Sequence, residues 1–339
     1  MAFMVALRLL GIGNVAAGGA SCRSRVVQSC RLCRTFRFLS LFFFLIMPSV
    51  FLADTADAAW GTATVDSTGD TGQYTSVAVG TSGAVYISYY DVTNTALMYA
   101  TNVSGAWGTT TVDNTSSAGT GQYTSIAVGT SGAAYISYYD GTRTALMYAT
   151  NVSGSWGTTT VDNTSSANTG QWTSIAVGSS GAAYISYYDV GNTALMYATN
   201  VSGAWGTTTV DNTSSADTGQ YTSIEVGSSG AVYIGYYNVG SSSLMYATNV
   251  SGAWGTTTVD NTTSADTGAY SSIAVGTSGA VYISYFDDTN DNLMYATNVS
   301  GAWGTTTVDS TTSADTGYYS SIAVGTSGAV YISYQDNTN

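Results

Sequence analysis

The chain of 339 residues carries a Trp-Gly-Thr segment six times, and the spacing of these segments constrains its fold more than any other feature. The first interval is 47 residues and each of the other four is 49. The tryptophans are Trp60, Trp107, Trp156, Trp205, Trp254 and Trp303. A fixed period of about 40 to 50 residues is typical of proteins in which one supersecondary unit is copied and each copy packs on its neighbours. Function must therefore be sought in the unit and in the positions at which its copies differ.

The second copy contains four short apolar segments separated by turn residues. Tyr123–Gly129 and Ala133–Tyr139 flank a Gly-Thr-Ser-Gly turn, which is a hairpin signal. Ala145–Thr150 and Trp156–Asp162 flank an Asn-Val-Ser-Gly turn. Tyr, Val, Ile and Thr dominate these segments and favour strands, and none of the segments has a helical period. Because apolar residues fall on both faces, each sheet should be covered on both sides.

Four antiparallel strands in each unit predict an all-β fold, a β-propeller of about six four-stranded blades whose last blade is incomplete. The alternative is a β-solenoid, because threonine runs such as Thr109–Thr111 occur in solenoids. A solenoid coil would repeat every 20 to 30 residues or so, whereas this chain has one tryptophan landmark every 49. The propeller is therefore favoured.

The predicted ring lacks one strand. The sequence contains six Trp-Gly-Thr strands but only five Leu-Met-Tyr strands, since it reaches Asn339 where the sixth would begin. We expect Trp60–Asp66 to belong to the last blade, but its direct pairing with Tyr331–Tyr334 would be parallel in an otherwise antiparallel sheet. The expected result is a defective seam whose exposed strand edge promotes self-association.

The first 58 residues are predicted to be a signal or leader segment, and residues 59–339 the propeller domain. An arginine-rich stretch and an apolar run from Phe38 to Ala53 precede Ala56-Asp57-Ala58, which is an A-x-A cleavage pattern. An uncleaved membrane anchor is the alternative, although the run is short and contains Pro48. We expect a bacterial protein that is secreted or displayed at the cell surface.

The composition of residues 59–339 excludes several classes of partner. This part contains one basic residue, Arg143, and 18 acidic residues, a formal net charge of −17, with no His, Lys or Cys. Nucleic acid and anionic lipid need clustered Lys and Arg, so neither nucleic acid nor membrane lipid is an expected partner. All three cysteines lie in the leader, where the Cys30–Cys33 CxxC spacing is interpreted as incidental.

The same composition predicts no enzyme, no catalytic residue and no cofactor. A Ser or Thr nucleophile has no histidine base, and the recurring aspartates, such as Asp162, should share near-identical environments that cannot separate an acid from a base. We interpret these aspartates as turn formers. The segment Asp287–Asn292 offers oxygen ligands for Ca²⁺, but a solvated polar turn is favoured and no metal site is predicted.

The segments Ser-Ile-Ala-Val-Gly-Thr-Ser-Gly-Ala-Val-Tyr-Ile-Ser-Tyr and Leu-Met-Tyr-Ala-Thr-Asn resemble blades of secreted bacterial propeller-repeat proteins of largely unassigned function. They are distantly similar to the sialidase (BNR, Asp-box) propellers. The turn before Trp107 matches the Asp-box glycine at Gly105 and its aromatic, but the aspartate is absent. Sialidases are known for an arginine trio and a Tyr–Glu pair, whereas this region has only Arg143 and Glu225. The resemblance therefore implies the fold and not sialidase catalysis.

The copies differ mainly in the loop after the second strand and in the stretch that enters the first strand. In an antiparallel blade both connections lie at the same end, and variation confined to one face is typical of a ligand face, although drift in tolerant loops would look similar. The predicted ligand-binding residues are Gln73, Gln122, Gln171, Trp172, Gln220, Arg143, Asn192 and Tyr318. We expect a non-enzymatic, multivalent module that binds a glycan or a protein, and the alternative is a structural or adhesive module without a small ligand.

Overall fold

The computed structural model describes residues 62–115, 119–164, 168–213, 217–262, 266–310 and 316–337. Their regular structure is 22 β-strands and one 3₁₀ turn at Val239–Ser241. The first strands of the repeats are β1 (Thr71–Val79), β5 (Thr120–Val128), β9 (Thr169–Val177), β13 (Thr218–Val226), β17 (Thr267–Val275) and β21 (Thr316–Val324). The second strands are β2 (Val85–Asp91), β6 (Ala134–Asp140), β10 (Ala183–Asp189), β14 (Val232–Asn238), β18 (Val281–Asp287) and β22 (Val330–Asp336).

The third and fourth strands complete five of the repeats. The third strands are β3 (Ala96–Thr101), β7 (Ala145–Thr150), β11 (Ala194–Thr199), β15 (Ser243–Thr248) and β19 (Asn292–Thr297). The fourth strands are β4 (Gly108–Asp113), β8 (Gly157–Asp162), β12 (Gly206–Asp211), β16 (Gly255–Asp260) and β20 (Gly304–Asp309). Each repeat forms one antiparallel sheet in sequence order, and within the described residues the sixth sheet contains only β21 and β22. The four-stranded blade and the incomplete last blade are both confirmed.

The blades pack through their first strands, in the order β1, β5, β9, β13, β17, β21. Serine side chains link neighbouring first strands: the Ile175 N–H donates to Ser125 Oγ at 3.2 Å, and the same bond recurs in the other junctions. Burial raises the pKa of Tyr123 to about 12, and nearby tyrosine hydroxyls add a smaller effect. One of these hydroxyls belongs to Tyr221, two blades away. The packing of first strand on first strand is that of a β-propeller and not of a solenoid.

The core lies between blades. The third-strand leucines are fully buried, and the second strands of the inner repeats are buried along their whole length, which explains why their apolar residues do not alternate. The repeated tryptophans join blades: the Trp205 ring lies 4.9 Å from the Tyr148 ring of the preceding blade, in an edge-on geometry. Such contacts each contribute about 0.5–1.5 kcal/mol beyond burial. A tryptophan every 49 residues is therefore an inter-blade contact.

The first and last blades each expose a face that the inner blades bury. In β1, Val77 is 64% exposed, whereas its counterpart Ile126 is 5% exposed. In β22, Tyr331 is 40% exposed, whereas its counterpart Tyr282 is 9% exposed. The exposed edge predicted at Tyr331–Tyr334 is thus found at Tyr331, whereas Tyr334 is buried, and the role of this edge in self-association stays a prediction.

The predictions for the N-terminal part of the chain can be compared with the structure only from Thr62 onwards. Trp60, with the leader of residues 1–58, lies outside the described residues. Thr62 to Asp66 are described and form no strand, so the expected strand at Trp60–Asp66 is wrong for this part of it. Asp66 instead accepts a hydrogen bond from the Tyr89 hydroxyl at 2.8 Å. No helix in the described ranges is long and apolar enough to cross a bilayer.

Candidate functional site

One end of the blades, which we call the loop face, carries both of the connections that vary between copies. In the second blade Thr120 at the start of β5 lies opposite Asp140 at the end of β6, and Asp140 lies opposite Ala145 at the start of β7. The loop after the second strand and the stretch entering the first strand therefore lie together, as predicted. The Gly-Thr-Ser-Gly turns lie at the opposite end.

A first set of aspartates, at the ends of the fourth strands, stabilises turns and joins blades. Asp162 is 3% exposed, and its Oδ1 accepts from the Thr164 N–H at 2.9 Å and the Thr164 hydroxyl at 2.6 Å. Its Oδ2 accepts from the Tyr187 hydroxyl of the next blade at 2.6 Å. Burial and the nearby carboxylate raise the pKa of Tyr187 far above its ordinary range. The interpretation as turn formers is confirmed, and the tyrosine bond is a role that the sequence did not indicate.

A second set of aspartates, at the ends of the second strands, holds the variable loops. Asp140 is fully buried and accepts from the Thr142 and Arg143 N–H groups, and the Arg143 guanidinium pairs with its carboxylate. In the next blade Asp189 accepts from the Asn192 N–H and, at 2.8 Å, from the Asn192 amide. Arg143 and Asn192 are therefore on the predicted face, but both bond to their own loops. Their variation between copies is consistent with alternative ways of capping the same aspartate.

Asp287, at which a bound Ca²⁺ was the less favoured prediction, holds its loop in the same way as Asp140 and Asp189. Its Oδ1 accepts from the Thr289 and Asn290 N–H groups at 3.1 Å, and its Oδ2 accepts from the Asn290 amide at 2.8 Å. Within the described ranges no three His, Cys, Asp or Glu side chains are grouped so that they could hold a metal ion. The polar turn accounts for the geometry of this carboxylate.

The predicted glutamines lie at the junctions between blades. Gln171 lies close enough to Tyr139 of the preceding blade to oppose the burial that raises the pKa of this tyrosine, and the Tyr139 hydroxyl donates to Asn168 Oδ1 at 2.8 Å. Gln220 lies close to Tyr188 in the same way, and the Tyr188 hydroxyl donates to Asp217 at 2.8 Å. The two junctions are near copies of one polar cluster on the loop face. Equivalent binding sites could therefore recur at these clusters.

Three further residues that were predicted to bind a ligand have surroundings that differ from those of Gln171 and Gln220. Gln122 is partly buried and lies opposite Tyr139 in its own blade. Gln73 is exposed, in the blade whose leading face is exposed. Tyr318 packs on a neighbouring ring, since its ring centroid lies 4.3 Å from that of Phe286 in the preceding blade. The Tyr–Gln pair of the inner junctions is thus replaced there by an aromatic pair.

The most regular feature of the loop face is a row of aromatic rings along the first strands, which we call the aromatic collar. Its members are Tyr74, Tyr123, Trp172, Tyr221, Tyr270 and Tyr319. Successive ring centroids are 4.5 to 5.6 Å apart. Trp172 also lies 5.4 Å from Tyr188, so the collar contacts the polar clusters. Only Trp172 was predicted from the sequence to contact a ligand.

Each collar residue has an unusual backbone conformation. Trp172 has φ of 46°, in the left-handed region, and it follows Gly170 with φ of 109° at a shift in the β9–β10 register. A bulky side chain in that region costs on the order of 1–3 kcal/mol and persists only where the surroundings impose it. Gly170 is required because a Cβ there would lie 2.6 Å from Leu146 Cα. The bulge places the rings in a continuous row.

One carboxyl group departs from the repeat. Glu225 stands on β13 where the other blades have alanine. Burial raises the pKa of Glu225, whereas hydrogen bonds from Thr68, against an opposing effect of burial, lower the pKa of Asp66. Glu225 therefore has an environment that the recurring aspartates do not share, whereas Asp66 and Asp162 accept hydrogen bonds from the same kinds of partner.

Comparisons with known structures identify the fold and not a family. The structure is similar to a polysaccharide lyase, ulvan lyase (12% identity, 79% of this chain and 80% of that chain, TM-score 0.58). It is also similar to the Aleuria aurantia lectin in complex with Fucα1-6GlcNAc (11% identity, 79% of this chain and 89% of that chain, TM-score 0.53) and to the Penicillium chrysogenum α-L-arabinanase complexed with arabinobiose (12% identity, 79% of this chain and 93% of that chain, TM-score 0.52). No protein-family model and no curated protein matches the sequence. At these identities the likeness shows a β-propeller and nothing about the residues of a site.

Two of the sequence predictions change as a result. The prediction that the chain is not an enzyme was wrong, because similar propellers include a polysaccharide lyase and an arabinanase, so this fold does not exclude catalysis. The resemblance to propeller proteins is supported at the level of the fold, while a relation to the sialidase family has no matching family model.

Proposed function

We propose that the protein binds a carbohydrate on its loop face, at the aromatic collar and the polar clusters beside it. The observation that carries this proposal is the row of six aromatic rings held in a left-handed backbone conformation. Strain of this kind is concentrated at binding sites, where the surrounding structure imposes a geometry that the isolated chain would avoid. A collar with no role in binding would gain from relaxing to ordinary backbone angles.

The chemistry of the loop face suits a sugar. Aromatic rings such as Trp172 offer an apolar surface for the C–H face of a sugar ring, and amides and hydroxyls beside them can fix its hydroxyl groups. In the cluster of Tyr139, Asn168 and Gln171, Gln171 directly precedes Trp172 in the sequence. The cluster recurs as Tyr188, Asp217 and Gln220 in the next blade.

The electrostatics favour a neutral or cationic ligand. Residues 59–339 carry a single basic side chain, and that side chain, Arg143, is paired with Asp140. An acidic polysaccharide would find no second guanidinium or ammonium group in this part of the chain. We therefore infer an uncharged glycan, bound by several similar sites that act together. Export through the N-terminal segment, which would bring the protein to extracellular glycans, is part of this proposal.

The test is a glycan array probed with the labelled full chain, followed by titration calorimetry with the strongest neutral glycan. Saturable binding to neutral glycans that weakens in Trp172→Ala supports the proposal. Val152→Ala is the matched control, because Val152 is 60% exposed but lies in the turn between the third and fourth strands, away from the loop face. Absence of binding to every glycan on the array would instead favour a structural or adhesive module.

A further inference from the structure

The junction between the third and fourth blades brings a carboxylate beside the tryptophan of the aromatic collar. The Tyr188 hydroxyl of the third blade donates to Asp217 Oδ1 of the fourth blade at 2.8 Å. The Trp172 ring centroid lies 5.4 Å from that of Tyr188. Gln220 of the fourth blade also lies close to Tyr188. A carboxylate, an indole ring and an amide are therefore grouped around one tyrosine.

The carboxylate of Asp217 has an oxygen that a ligand could use. Its Oδ1 accepts the tyrosine hydroxyl, whereas its Oδ2 has no hydrogen-bond partner in the part of the chain that the structure describes. Asp217 is only partly buried. Arg143, the single basic residue of residues 59–339, is paired with Asp140, so it does not neutralise Asp217. A cationic group of a ligand would meet an uncompensated negative charge there.

The preceding junction has the same architecture without the charge. There the Tyr139 hydroxyl donates to Asn168 Oδ1, also at 2.8 Å, and the collar ring beside it is Tyr123, with its centroid 6.2 Å from that of Tyr139. An asparagine amide is neutral, and tryptophan attracts a cation more strongly than tyrosine does. The two junctions therefore differ in their preference for charge.

The following junction has only part of this chemistry. The Tyr237 hydroxyl donates to Asp266, and the collar ring beside it is Tyr221, with its centroid 6.3 Å from that of Tyr237. Ala269 stands where the preceding junctions have glutamine. This junction shares the carboxylate but offers neither the amide nor the tryptophan, so Asp217 has the most complete set.

We propose that the junction at Asp217 is a subsite for the ammonium group of an amino sugar within an otherwise uncharged glycan. The inference rests on the proposed function and adds the class of sugar that this junction selects. The ammonium group would donate to Asp217 Oδ2, and the ring face of Trp172 would attract the same charge. The amide of Gln220 is available to a neighbouring sugar hydroxyl. The junction at Asn168 gains nothing from a charge and selects a neutral sugar.

The test uses titration calorimetry on the full chain with two ligands, chitotetraose, which is N-acetylated on every ring, and its fully deacetylated counterpart. About pH 6 keeps ordinary carboxylates ionised and favours the ammonium form, and about 0.15 M salt screens general attraction to the acidic chain. The deacetylated ligand should bind about fivefold more tightly or better. Equal or weaker binding of this ligand, or no binding of either, overturns the inference. The proposed function is judged separately by the array of neutral glycans, so the two failures are distinguishable.

Two reciprocal variants locate the subsite. Asp217→Asn gives this junction the chemistry of Asn168, and Asn168→Asp does the reverse, while both keep an oxygen that can accept the tyrosine hydroxyl. The readout is the ratio of the affinity for the deacetylated ligand to that for the acetylated ligand. This ratio should fall about fivefold in Asp217→Asn and rise in Asn168→Asp. Circular dichroism checks that each variant is folded, and a ratio that stays the same in both overturns the inference.

Asp70→Asn is the matched control for charge. Asp70 and Asp217 have the same place in their repeats, because the carbonyl of each accepts the N–H of the residue after the second strand, Val92 and Val239 respectively. Asp70 is exposed, and no tyrosine hydroxyl in the described ranges donates to its side chain. Its replacement should leave the ratio of affinities unchanged. An equal fall in Asp70→Asn and Asp217→Asn would show general charge attraction and overturn the subsite.

Tetralysine separates an amino sugar from any other source of ammonium groups. It carries a comparable positive charge without sugar rings, so it should bind more weakly than the deacetylated tetraose under the same conditions. Equal affinity for the two ligands would show that the junction recognises charge alone, and the assignment to an amino sugar would be overturned.

Discussion

The buried bond between Tyr187 and Asp162 provides a direct test of how the blades are held together. The Tyr187→Phe change removes one hydroxyl and leaves Asp162 Oδ2 without its donor in a site where the aspartate is 3% exposed. A hydrogen bond to a buried charged group is worth about 1.5–3 kcal/mol. We therefore expect the free energy of unfolding to fall by about 2 kcal/mol. For a domain of this size that corresponds to a decrease in Tm of roughly 4–8 °C.

The adjacent residue is the matched control. The Tyr188 hydroxyl donates to Asp217, which is only partly buried, and the fifth blade already has phenylalanine, Phe286, at the corresponding position. Water can replace the lost bond at Asp217, so Tyr188→Phe should cost less than about 1 kcal/mol. Urea unfolding followed by circular dichroism compares the two variants. Equal destabilisation by the two changes would refute the reasoning that burial of the acceptor sets the cost.

Three further changes test other parts of the structure. Glu225→Ala restores the alanine of the other blades and should stabilise the protein by about 1 kcal/mol at pH 7, measured by urea unfolding. Because burial raises the pKa of Glu225 in the folded state, the wild type loses stability as pH rises from the ordinary pKa of glutamate through the folded value. The gap should therefore disappear below about pH 4, the ordinary range of glutamate, and a pH-independent gap would contradict this cause. Gly170→Ala should lower stability by more than about 2 kcal/mol, since its Cβ would lie 2.6 Å from Leu146 Cα at a φ of 109°, and a neutral result in thermal unfolding would contradict the close approach. Trp205→Ala should lower stability by about 3–5 kcal/mol through loss of its contact with Tyr148, and a change below about 1 kcal/mol would show that the tryptophan is not an inter-blade contact.

Much of the fold follows from local sequence. The predicted strands Ala133–Tyr139 and Ala145–Thr150 agree with β6 and β7 to within a residue, because turn residues delimit them and both of their faces are apolar. The strand that contains Tyr123 begins three residues earlier than predicted, at Thr120. A glycine and a left-handed residue shift its register, and the apolar pattern does not reveal such a bulge.

The candidate site was predictable only in part. The two connections that vary between copies lie at one end of the blades, as predicted, but variation alone does not distinguish a residue that could contact a ligand from one that caps a loop. Arg143 and Asn192 bond to Asp140 and Asp189, and such capping depends on the conformation of each loop. The collar was missed because its tyrosines are almost invariant between copies, whereas the search relied on differences. An aromatic residue two positions after a glycine in every copy was the available signal.

The central claim, that the aromatic collar binds a carbohydrate, is tested most directly at Trp172. Trp172→Tyr introduces the residue found at this position in the other five blades, so it should preserve the fold and keep affinity for the array-selected glycan within about tenfold. Trp172→Ala removes the ring, and titration calorimetry should show affinity lower by about ten- to a hundredfold, the loss expected for a ring that contributes 1.5–3 kcal/mol or so. If a folded Trp172→Ala variant binds the glycan as tightly as the wild type, the collar is not the binding site.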